Sequence, residues 1–165
     1  MKIRLIQLMT AVMSLFIMLS IQACNSKTET HVTENGTVKI DREGEKADIT
    51  IQTKDGESLK MSINKGELPE GWPSEIKVLP GGNIIFSQTE AKSNMHQISI
   101  ETEKSVDDAM DFYKDLLGSE KWGIENTMNI GSMNMLTAKK DDREILLQVV
   151  EAPGESKTHV QIIIK

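Results

Sequence analysis

The chain has 165 residues, a single cysteine, and 25 acidic against 19 basic side chains, for a net charge of −6. Such a balance argues against nucleic acid, which asks for a basic face, and against electrostatic docking on anionic lipid, which asks for a polybasic cluster. A lone cysteine excludes an intramolecular disulfide, so an apolar core must hold the fold.

Residues 1–23 open with Lys2 and Arg4. They continue through an apolar stretch, Leu5 to Leu19, broken only by Gln7, Thr10 and Ser14. A positive start, an apolar run of about 7–15 residues and small residues at the exit describe a secretory signal peptide. A membrane-spanning helix is the alternative. It needs about 20 apolar residues, and Ser20 and Gln22 crowd the far end of this run. Ile21-Gln22-Ala23-Cys24 then resembles the lipobox of bacterial lipoproteins: a branched apolar residue, a small residue, then cysteine. Gln22 is a less usual occupant of a loosely specified place. The resemblance implies that the Cys24 thiol receives a diacylglyceryl group and that a signal peptidase cuts just before it. The expected location is the cell membrane or outer membrane, lipid-anchored and facing the periplasm or the exterior. Two acyl chains hold where one only lingers, at about 0.8 kcal/mol per buried CH₂.

Beyond residue 23 the chain carries 17 basic and 25 acidic side chains, a net −8 that suits solubility. Residues 24–36 hold Cys24 and read as a polar, flexible tether, because Asn25 to Glu34 lacks any apolar period. Residues 37–66 predict a small β-hairpin region. "ADITIQT" and "SLKMSI" alternate apolar and polar residues, and Asp55-Gly56 lies between them. "TVKI" (37–40) is a candidate third strand, starting after the Asn35-Gly36 turn. Residues 67–82 hold Pro69, Pro73 and Pro80, which forbid a helix and spoil a strand interior. Trp72 within this connector reads as an apolar plug over the core edge.

From residue 83 the pattern predicts two strands, "NIIFSQTE" and "MHQISIET", with a turn near 91–94. A helix follows. Ser105 can cap it, Asp107 and Asp108 suit its dipole, and Gly118 is the expected stop. Val106, Ala109, Met110, Tyr113, Leu116 and Leu117 share one face at helical spacing. Four strands are expected after it, over 122–130, 133–140, 143–151 and 157–165, separated by turn-forming residues. The expected fold class is therefore α+β. An antiparallel meander (ββαββββ) over residues 67–165 would be packed by one amphipathic helix, with the 37–66 strands before it and available to cover its other face.

"LPEGWPSEIKVLPGGNI" and "DAMDFYKDLLGSEKWGI" together resemble a domain found in secreted bacterial lipoproteins of no assigned activity. The resemblance covers about residues 67–125 and implies no functional residue.

Catalytic motifs are missing from the sequence. A nucleophile–base site needs Ser or Cys with His and an orienting acid. The histidines are His31, His96 and His159, and no G-x-S-x-G, H-E-x-x-H or C-x-x-C occurs. Asp107-Asp108 and Asp141-Asp142 are adjacent rather than alternating, unlike a Ca²⁺ loop. The sequence thus predicts a non-enzymatic binding or interaction domain with no cofactor. Its partners would be the membrane through Cys24, and an envelope protein or peptidoglycan. A second reading rests on Met95, His96, Met128, Met133 and Met135, because thioether sulfur suits Cu(I). Methionine also packs as an adaptable core residue, so the cluster is a metal site only if its groups converge.

Overall fold

The structure, a computed structural model, describes residues 27–165 except 153 and 155. The expected signal peptide and the expected acylation of Cys24 fall outside the described residues.

Ten strands and one helix form in chain order: β1 (Lys27–Thr33), β2 (Gly36–Glu43), β3 (Lys46–Thr53), β4 (Ser58–Ile63), β5 (Asn83–Glu90), β6 (Met95–Thr102), helix α1 (Val106–Ser119), β7 (Gly123–Ile130), β8 (Met133–Lys140), β9 (Arg143–Glu151) and β10 (Thr158–Ile164). All ten strands belong to one antiparallel sheet, ordered β1-β2-β3-β4-β5-β6-β10-β9-β8-β7. The strand positions expected after residue 83 agree with these to within a residue, but the expected assembly does not.

Two corrections to the ββαββββ meander follow. First, residues 37–66 are not a hairpin region set before the sheet or laid over its other face. β4 pairs edge-on with β5, Ile63 opposite Phe86 and Leu59 opposite Glu90, so these strands extend the same sheet. Alternation in a strand shows that one face is apolar. It does not say whether the strand packs across a sheet or joins its edge. Second, the last four strands do not simply follow β6. Helix α1 carries the chain to the far edge, where β7, β8 and β9 run back until β10 inserts between β9 and β6. In addition, residues 27–33, expected within the tether, form strand β1, with Val32 opposite Thr37 and Lys27 opposite Arg42.

The helix begins where Ser105 accepts a hydrogen bond from the Asp108 amide (3.1 Å). It runs through Gly118 and ends one residue later. The Trp122 amide donates to the Leu117 carbonyl and the Lys121 amide to that of Gly118. Lys121 takes the left-handed conformation, φ +63°. This is a Schellman stop without glycine, and its apolar pair, Leu117 and Trp122, lies in the core. Ala109, Met110, Tyr113 and Leu117 face the sheet, and the helix packs on β7, β8 and β9. The 67–82 connector completes this layer. Ile76 and Leu79 are buried beside the helix, and the Leu79 amide donates to the Tyr113 hydroxyl (3.2 Å). Trp72 packs against the same cluster as the expected plug, its indole N–H donating to the Ile76 carbonyl (2.8 Å).

Sidedness changes along the sheet. Residues paired across a ladder share a face. On the helix side, β6 presents His96, Ile98 and Ile100, β10 Val160, Ile162 and Ile164, and β9 Ile145, Leu147 and Val149, all buried. Following the registers outward, the same side of β4, β3 and β2 presents Ser58, Lys60, Ser62, Asp48, Thr50, Lys39 and Asp41. Their apolar residues lie on the opposite side: Val38 and Ile40 in β2; Ala47, Ile49 and Ile51 in β3; Leu59, Met61 and Ile63 in β4. Among the described residues, helix α1 does not pack on β1 to β4, and the core cluster contains none of their side chains; Lys60 of β4 reaches Glu70 in the connector.

Candidate functional site

A concavity lies where the helix-side layer gives out. It is a groove of about 530 Å³ between the Glu70–Pro73 stretch and the sheet. Ser58, Lys60, Thr89, His96 and Ile164 form its floor, and Arg143 and Lys165 stand at one end. The floor is composite because this is where the helix side turns from apolar to polar.

His96 is the central group. It is 6% exposed, and its Nδ1 lies 3.3 Å from the Thr89 hydroxyl. Burial holds its pKa below the usual imidazole value, so the ring is neutral at neutral pH and can donate one hydrogen bond and accept another. Gly71 roofs the ring with φ +81°, and a Cβ there would stand 2.9 Å from the His96 Cε1. Only glycine combines that backbone conformation with that approach. The charges around the groove are largely paired. Lys60 bonds Glu70 (2.9 Å), and Arg143 bonds Glu75 (2.6 Å) while lying 5.0 Å from the Trp122 ring centre. The Lys60 ammonium holds the Glu70 carboxyl below its ordinary pKa. A near-neutral groove with a neutral imidazole and a hydroxyl on its floor suits hydrogen bonding to a small polar molecule.

The methionines fall differently. Met128 and Met135 are direct cross-strand partners, and Met133 lies two residues from Met135 on the same face of β8. Strand alternation sends His96 to the helix side, while Met95 lies on the other side. Met95 sits at the opposite end of the sheet from Met133, whose row runs through Val150 and His159 to Glu101. The five residues therefore occupy two faces and both ends of the sheet, with β10 and β9 between β6 and β8. Among the described residues, no three His, Cys, Asp or Glu gather as a metal-holding group.

Sequence reasoning singled out His96 for its neighbour Met95 and missed its real setting. Lys60, Gly71, Thr89 and Arg143 went unremarked as site residues. A glycine between Glu70 and Trp72 in a proline-rich connector was the available signal, but nothing in the sequence says which side chain it meets.

No curated protein and no solved structure matches the chain. Residues 85–158, which run from β5 through α1 to the start of β10 and include the groove residues Thr89, Ala91, Asn94, His96 and Arg143, match a family model described as START domain-like, and domains of that description generally bind ligands rather than catalyse.

Proposed function

We propose that the protein is a non-catalytic, lipid-anchored extracytoplasmic domain that binds a small polar ligand in the groove over His96. The observation carrying this reading is the roof. A left-handed glycine closes so tightly over a buried, neutral histidine that any side chain at position 71 would press on the ring and disturb the groove floor. The START domain-like match supports a binding role, and the lipobox at Cys24 supports the location.

Fragment titration followed by imidazole NMR tests the binding reading. Ligands of the groove shift the His96 ring resonances in the wild type and lose affinity in Gly71→Ala. Equal affinity in both proteins refutes the site. Mass spectrometry of the native product tests the anchor, with diacylglyceryl on an N-terminal Cys24 expected and a free thiol contradicting it.

A further inference from the structure

Strands β2 to β4 present an uninterrupted apolar block on the side away from the helix: Val38, Ile40, Ile49, Ile51, Leu59 and Met61. On β5, β6, β9 and β10 the same side is interleaved with Gln88, Gln97, Ser99, Gln161 and Gln148, and a second apolar stretch, Met128, Ile130, Met133 and Met135, lies at the far edge, away from β1. Ile40 is buried and the other five are half-buried, and helix α1 does not pack on the block.

We infer that this block rests on the lipid bilayer to which Cys24 is attached. The inference relies on the anchored reading given above. Three observations single out the bilayer. The chain joins the sheet at Lys27, three residues after Cys24, so the sheet's β1 edge lies within about 11 Å of the acylated residue at full extension. That is far shorter than the ten-residue leash the composition suggested. The corner nearest the anchor carries Lys27 and Arg42 as cross-strand partners on the apolar side, in one row with Ala47 and Ile63, which suits lipid phosphates. Finally, strand spacings of about 4.8 Å and 3.3 Å per residue give the block on the order of 200 Å² in projection, against roughly 800 Å² per partner in a stable protein interface. A second copy of the chain gains too little from such a patch. A surface to which the domain is already tethered needs only a small gain, because tethering makes the contact intramolecular. The contact is apolar and so is compatible with an acidic chain.

The test uses the full acylated protein reconstituted in phosphatidylcholine vesicles. A nitroxide is placed in Ile49→Cys and, on the opposite side of the same strand, in Thr50→Cys. In vesicles the label at position 49 is expected to be shielded severalfold from an aqueous nickel relaxant and open to oxygen, while the label at 50 shows the reverse. Equal nickel accessibility at the two positions overturns the inference. Shielding at 49 that persists without vesicles, in a species of twice the chain mass, also overturns it and assigns the face to a second copy. Wild-type protein controls for the anchor separately. Cys24 is the chain's one thiol, so wild type takes up label only if that residue is unacylated. Uptake there would refute the anchoring while the 49 and 50 pair still reports on the face.

Discussion

Strands β9 and β3 carry similar alternating residues, yet Ile145, Leu147 and Val149 of β9 are exposed by 1% or less while Ala47, Ile49 and Ile51 of β3 are only half-buried. The difference does not lie in the strands. β9 is covered by α1, with Ile76, Leu79 and Trp122 filling the margins, whereas β3 has only β2 and β4 beside it. Hydrogen-bonded ladders make both halves one sheet, but a second layer exists over one half alone. Cooperative stability should therefore concentrate in β5 to β10, leaving β1 to β4 as the part that opens first.

Deleting matched side chains breaks the comparison most directly. Leu147→Ala is expected to cost about 2–5 kcal/mol by denaturant unfolding, and Ile49→Ala well under half of that. Equal losses would mean that the uncovered half is as tightly packed as the core. Native-state hydrogen exchange sharpens the point: amides of β3 should exchange ahead of those of β10, through local opening rather than global unfolding.

Next in size is Gly71→Ala, which combines a left-handed φ with the approach to His96 and should cost about 1–3 kcal/mol in thermal unfolding. Replacing a glycine with free space above it, Gly44 at φ +61°, pays for the conformation alone and gives the smaller loss. Ser105→Ala removes the helix cap and should cost about 1 kcal/mol, within the covered half only. Smallest is a pH effect. Burial lowers the His96 pKa, so the unfolded chain binds the proton more readily than the folded one. The His96 contribution is present above about pH 6.5, the ordinary imidazole value, and is lost as pH falls below it. Comparing melting temperatures of wild type and His96→Gln across pH 7 to 5 isolates it. Parallel curves would contradict the assignment.

Local features of the chain were legible in its residues. Alternation places the strands, Ser105 marks the helix start, and Trp72 in its proline-rich connector reads as the plug it is. Pairing was not legible, since β10 meets β6 across more than fifty residues and periodicity carries no information about partners. The polar side of β4 reads the same whether it meets water or floors a groove. The groove itself needs Gly71, Thr89 and His96 brought together from a connector and two strands. Helix termination misled for a simple reason: Gly118 was available, yet the chain used Lys121, which tolerates the left-handed conformation because Leu117 and Trp122 pack across the stop.

The insertion of β10 between β6 and β9 has a temporal consequence. It is the last of the ten strands to be synthesised, and it bridges segments that otherwise share no ladder. Until it docks, Ile98 and Leu147 have no strand between them, so the nucleus cannot close and folding should be slow, as sheets rich in distant pairings are. Without this strand the sheet falls into two separate ladders, β1 to β6 and β7 to β9, joined only through helix α1.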